Sequence, residues 1–261
     1  MPTLTMARNG KWFDGHLSLG AGRNDGNDQL GGGAASMTSM FDDFLYIPSE
    51  TVTGNFKHWQ SLFVSGGAGS VGVSAPIKNY VNGIWQLAAT NGNEEIFTAN
   101  GVGAQTKGLI PYKPGFFAAR IAVKQMVGTT GYARVGNTNT RPSYGTNATM
   151  ANYFETNRTN TRWDAVSVNT TDGGTTTTDT GVAYDTNYHI FTITYPLASY
   201  TPNQKAIFSI DDVVVATHTG TDPTTNLPRS ALLVPWVQVY SPAEAQITQV
   251  YIDWIMLHSQ A

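Results

Sequence analysis

From Met40 to its end, the chain sets short apolar runs between clusters of Thr, Asn, Gly and Asp, at a spacing of roughly 8–12 residues or a little more. Runs of that length bounded by turn residues are the pattern of sandwiches and barrels. Composition points the same way. The sequence holds 34 Thr and 19 Asn against 13 Leu, 7 Lys and 5 Glu, so residues suited to half-buried strands and turns displace the helix formers. The fold class read from this is all-β. Thirteen strand candidates, the first at 41–47 and the last at 248–257, are too many for one open sheet. A two-sheet antiparallel sandwich is therefore expected over 40–261.

Local patterns refine the expectation. In the last strand Val250, Ile252, Trp254 and Met256 alternate with Gln249, Tyr251, Asp253 and Ile255, which places Ile252 and Trp254 together in the core. Asp211 and Asp212, between two apolar runs, suit the positive φ of a tight hairpin turn. The Thr-, Gly- and Asp-rich tract at 169–186 is too polar for a core and reads as a long exposed loop or hairpin tip. Residues 1–39 form a separate glycine-rich arm with little to bury. It is either a flexible tail or a segment ordered by a partner, and in the second case Trp12, Phe13, Leu17 and Leu19 are the docking anchors.

Several function classes fall away by counting. With no cysteine there is no disulfide framework, thiolate metal site or cysteine nucleophile. Fifteen Lys and Arg against 18 Asp and Glu give a net charge of -3, which argues against nucleic acid as a partner. No run approaches the roughly 18 apolar residues of a membrane span, and the first residues show no apolar signal region, so synthesis in a cytoplasm is expected.

Candidate chemistry is sparse. The five glutamates, Glu50, Glu94, Glu95, Glu155 and Glu244, have no acidic residue two positions away, so no single strand presents a carboxylate pair on one face. The five histidines, His16, His58, His189, His218 and His258, show no metal-binding spacing, and no Gly-x-Ser-x-Gly elbow marks a nucleophile. Residues 25–33 look like one copy of a calcium-binding glycine-rich repeat without its neighbours. Sequons at Asn147, Asn157 and Asn169 need a secretory route to be used. Catalytic residues, metal and cofactor are all expected to be none. Tyr144, Tyr153 and Trp163, among amides that can bond hydroxyls, are the candidate platform for sugar rings, with core packing as the competing use.

Three segments in order carry a resemblance. Gly115 to Val123 is similar to the G-x-F-x-A-R-I strand of laminarinase-type glucanases, Tyr188 to Tyr195 with the Asp211-Asp212 turn to their paired central strands, and Val250 to Leu257 to their closing strand. The chain thus resembles the concanavalin A-like lectin/glucanase superfamily, which implies a jelly roll. It also resembles tailed-phage structural proteins that open on an F-D-D-F strand, as at Phe41 to Phe44, and close on an I-D-W strand. That resemblance implies a non-enzymatic virion protein of the capsid decoration or cement type, with the major capsid protein and its own copies as partners. A carbohydrate- or receptor-binding module of a phage fibre or tail is the alternative. The E-x-D-x-E strand of the glucanases is missing, so glycosidase activity through a non-standard carboxylate pair stands third.

Overall fold

The computed structural model describes residues 37–42, 54–56, 59–65, 84–90, 92–98, 114–126, 131–139, 149–157, 161–170, 174–196, 204–220, 227–228, 233–241 and 247–260. Among them fifteen strands form. They are β1 (Met37–Asp42), β2 (Gly54–Phe56), β3 (Trp59–Ser65), β4 (Trp85–Thr90), β5 (Gly92–Thr98), β6 (Gly115–Gln125), β7 (Tyr132–Thr138) and β8 (Met150–Asn157). The series continues with β9 (Arg162–Asn169), β10 (Gly174–Ala183), β11 (His189–Tyr195), β12 (Gln204–Ile210), β13 (Val213–Gly220), β14 (Val234–Ser241) and β15 (Ile247–Gln260).

They pair into two antiparallel sheets. The seven-stranded sheet runs β1-β15-β6-β11-β12-β13, and β4 also pairs with β15. At 14 residues, β15 is long enough for one of its edges to take β4 along 247–252 and β1 along 255–260. The eight-stranded sheet runs β10-β9-β8-β7-β14-β5-β3-β2. The expected all-β sandwich is the observed fold. Strand β1 straddles the boundary expected at residue 39, and the arm's proposed anchors Trp12, Phe13, Leu17 and Leu19, like residues 25–33, lie outside the described residues.

The core fills the space between the sheets, and aromatic rings hold its centre. Phe154 on β8 meets Phe191 and Phe208 edge-on at 5.1 and 5.3 Å, and Trp163 on β9 meets Phe191 at 4.5 Å. Edge-to-face contacts of this kind add to the burial of the rings themselves. The hairpin between β12 and β13 turns on Asp211 at φ 49° and Asp212 at φ 65°, as their spacing predicts.

Two expectations are corrected. A bulge in β15 between Ile252 and Trp254 flips the strand's facing, so Val250, Ile252, Ile255 and Leu257 enter the core while Trp254 and Met256 pack with Ala118 on the opposite side of the sheet. The tract read as an exposed loop is instead an edge strand, β10, over most of its length. Threonine suits an edge because its branched side chain favours extended backbone while its hydroxyl tolerates water. Alternate β10 residues are half-buried and exposed, and a bulge at Asp179 to Ala183, with Gly181 at φ 73°, breaks the pairing register. An interrupted, polar edge resists adding a foreign strand.

A buried polar chain links the sheets. Thr178 on β10 lies 3.1 Å from His218 Nε2, and Ser167 Oγ lies 2.7 Å from His218 Nδ1. Ser167 donates to Asn152 Oδ1, the Asn152 amide donates to Tyr195, and the Tyr195 hydroxyl donates to Asn137 Oδ1. Because the Ser167 proton is committed to Asn152, the serine accepts from Nδ1–H, leaving Nε2 to accept from Thr178. His218 is thus held as a neutral imidazole. Burial pushes its pKa down to about 4. The unfolded chain binds this proton near 6.5, so the group contributes stability above pH 6.5 that is lost as pH falls through about 4. Chemical denaturation should show wild type losing on the order of 2–3 kcal/mol more than His218→Gln between pH 7 and pH 4. Parallel pH curves for the two proteins would contradict it.

Candidate functional site

On β7, β8, β9 and β14 the core takes Ala133 and Val135, Phe154, Trp163 and Ala165, and Val237 and Val239. Strand alternation then sends the residues between them to the outer face of the eight-stranded sheet. Pairing register lines these up across the sheet. Gln238 sits opposite Arg134, Arg134 opposite Glu155, Glu155 opposite Asp164, and Asp164 opposite Asp179. Five neighbouring strands therefore contribute one polar residue each to a single row.

Arg134 anchors the row. It is 4% exposed, its guanidinium lies 4.0 Å over the Tyr132 ring and 5.3 Å from that of Tyr153, and its Nε donates to Glu155 Oε2. Burial works against its charge, but Glu155 and the two tyrosines outweigh that and raise its pKa further. Its Nη1 donates to Gln238 Oε1 at 3.2 Å. Since arginine only donates, the Gln238 amide is fixed oxygen-first, and its Nε2 is buried with no hydrogen-bond partner. Glu155 keeps 28% of its side chain exposed, while Asp164 beside it is 9% exposed. At the end of the row Arg162 pairs with Asp179 at 3.5 Å.

Aromatic residues flank the row on both sides. Tyr132 and Tyr240 stack at 4.8 Å with 22° between their planes, and both are half-buried. On the other side Tyr153 meets Trp236 edge-on at 5.6 Å, in a buried cluster with Ala151, Val166 and Val168. Burial pushes the Tyr153 hydroxyl well above its ordinary pKa. Gly136 stands between those two rings in register, and a Cβ there would lie 2.2 Å from the Asn152 carbonyl oxygen and 2.5 Å from the Tyr153 Cα. Backbone would have to move, so Gly136→Ala should cost about 1–3 kcal/mol or more in denaturant unfolding. A loss under about 0.5 kcal/mol would show that the strands are not packed this closely.

The sequence candidates scatter. Tyr144 lies outside the described residues. Tyr153 reaches the outer face but is 2% exposed, its ring covered rather than offered to a ligand. Trp163 is corrected from a sugar platform to a core residue, 1% exposed and packed on Phe191. Asn169 is buried with its amide donating to the Leu227 carbonyl, which leaves that sequon no free nitrogen. Arg134, Asp164 and Gln238 were not singled out by the sequence, and Glu155 was named only among the glutamates that lack an acidic residue two positions away. Their signal was a polar residue at one outward position in each of several apolar strands, and it becomes a site only through the register. No group of three His, Asp or Glu side chains is placed to hold a metal among the described residues.

No protein-family model matches the chain, and no curated protein matches it in sequence. Solved structures do. A glycoside hydrolase family protein from Mycobacterium thermorestibile superposes with TM-score 0.54 at 13% identity, covering 84% of this chain and 99% of its own. The endo-1,3-beta-glucanase of Streptomyces sioyaensis gives TM-score 0.50 at 15% identity, with 86% and 96% covered. An immunostimulatory antigen and pseudo beta-1,3-glucanase of Mycobacterium tuberculosis gives 0.53 at 13%, with 84% and 98% covered. The fold is the jelly-roll sandwich of the β-glucanases. At these identities the likeness establishes architecture alone. It also overturns the expectation of a non-enzymatic virion protein of the decoration or cement type. These neighbours bear the names of glucanases and a glycoside hydrolase, and nothing in them points to a capsid or a phage.

Proposed function

We propose that the protein is a glycoside hydrolase whose site is the polar row on the outer face of the eight-stranded sheet. The observation that carries this reading is the direct cross-strand pairing of Glu155 with Asp164, backed by Arg134. Opposed residues on one face of antiparallel strands hold their Cβ atoms about 5 Å apart. Retaining glycosidases hold their two carboxyls about 5–5.5 Å apart, a separation that side chains borne on such Cβ atoms can reach. Two strands thus supply what the glucanases resembled by this chain arrange along one.

Roles follow from the surroundings. Glu155 has a counter-charge in Arg134 and a side chain 28% exposed, so it is the nucleophile that attacks the anomeric carbon. Asp164, the carboxyl of the pair without the arginine, is assigned as the acid that gives a proton to the departing glycosidic oxygen. Water then displaces Glu155 from the sugar, losing a proton to Asp164. The names of the fold neighbours favour a β-1,3-glucan as substrate. Incubating the full chain with laminarin, lichenan and mucin-type O-glycans and measuring new reducing ends tests this. Release from laminarin supports the reading, and no release from any of the three overturns it.

A further inference from the structure

Outside that row, His189 opens β11 with a carboxylate on each ring nitrogen. Its Nδ1 lies 2.6 Å from Asp211 Oδ2, and its Nε2 lies 3.0 Å from Asp185 Oδ1. Both partners come from elsewhere in the fold. Asp185 belongs to the crossover that leaves the edge of the eight-stranded sheet after β10, and Asp211 to the turn between β12 and β13. Each is already oriented by backbone. Asp211 Oδ1 accepts from Ile190 N at 2.8 Å and its own N–H donates to the Ile190 carbonyl at 2.9 Å, while Asp185 Oδ1 accepts from Asn187 N at 2.7 Å.

A neutral imidazole has one N–H, and a carboxylate only accepts. Two carboxylates on two ring nitrogens are satisfied together only by the imidazolium. From this geometry we infer that His189 is a proton-operated clasp: protonated, it ties the 184–188 crossover to the β12–β13 turn, and on losing its proton it releases Asp185 while Asp211 stays held through Ile190.

The charges around the ring set the balance. Asp185 and Asp211 favour the proton, as does Asp212 in the same turn. From β6, Lys124, which donates to the Thr186 carbonyl at 2.6 Å, and Arg120, which is paired with Asp253, oppose it. The Phe191 ring, 6.4 Å away, is neutral. Partial burial lowers the pKa of His189, but the hydrogen bonds and charges of Asp211 and Asp185 outweigh it and carry the pKa above 6.5. With the folded value above the unfolded one, the clasp's stabilisation is fully present below pH 6.5 and is lost as pH rises through the folded pKa.

An NMR titration of the full chain between pH 5 and 9 tests the clasp, following the His189 ring and the Asn187 and Ile190 amides. A His189 midpoint above 6.5 is expected, lowered in Asp185→Asn and lowered again in Asp211→Asn, with the Asn187 amide moving at the same midpoint. Protection of the Asn187 amide from exchange should drop by about threefold across that midpoint, the scale of a partly exposed ion pair, and stay level in His189→Gln. A midpoint at or below 6.5, or one that Asp185→Asn leaves in place, overturns the clasp.

Discussion

Glu155→Gln is expected to reduce laminarin hydrolysis by about 10⁴–10⁶-fold, the range seen when a member of a covalent catalytic unit is removed, and to lower the unfolding midpoint as well. The amide keeps the shape of the carboxylate and still accepts from Arg134 through its oxygen, so the row stays filled. What it lacks is a charged oxygen able to bond to the anomeric carbon. Stability falls because the buried Arg134 guanidinium keeps a neutral acceptor but loses its counter-charge. Asp164→Asn should give a smaller loss, about 10²–10⁴-fold, with a different signature. An activated leaving group, such as a nitrophenol, needs little protonation, so the first step on a nitrophenyl glycoside should survive in Asp164→Asn as a burst of released nitrophenol followed by slow turnover, and fail in Glu155→Gln. Equal loss on both substrates in both variants would mean that the carboxyls do not divide the work as assigned.

The separation between readable and unreadable features follows the range of the interactions concerned. The Asp211-Asp212 turn was visible because its conformation is set within a few residues, and both aspartates take up positive φ. Strand alternation was visible for the same reason, until β15 reached its bulge. There a single extra residue reversed the facing of Trp254 and Met256. A bulge is a property of two paired strands, and nothing in the 248–257 segment by itself places one at Asp253. Strand β10 was missed because polarity was read as exposure. Its threonines are compatible with either a loop or an edge, and the pairing with β9 decides between them.

The site was hidden by the same logic. A search for carboxylates two positions apart tests one strand at a time, and no strand here passes it. Glu155 and Asp164 are nine residues apart in sequence and come together because β8 and β9 form a hairpin-like pair in which 155 and 164 face each other. Arg134 joins from β7 and Gln238 from β14, more than a hundred residues later. Each of these residues looked like an ordinary outward-facing position on a half-buried strand.

Trp163→Ala should be among the most damaging single changes in the protein, costing about 3–5 kcal/mol in denaturant unfolding. That is a large fraction of the roughly 5–15 kcal/mol that stabilises a typical domain. The ring is 1% exposed and meets Phe191 edge-on at 4.5 Å, while Phe191 in turn carries Phe154 at 5.1 Å. Removing it opens a void at the junction of both sheets, lined by rings that cannot collapse inward without giving up their own contacts. The backbone also limits repair. Trp163 lies on β9 between β8 and β10, its carbonyl accepts the Thr180 hydroxyl at 2.6 Å, and both neighbouring strands fix its Cα. Trp163→Phe refills part of the volume and should recover at least half of the loss. A sugar platform would behave in the opposite way, since an exposed ring contributes to binding and little to folding. Trp163→Ala with an unfolding free energy within about 0.5 kcal/mol of wild type would place the ring outside the core and return it to the outer surface.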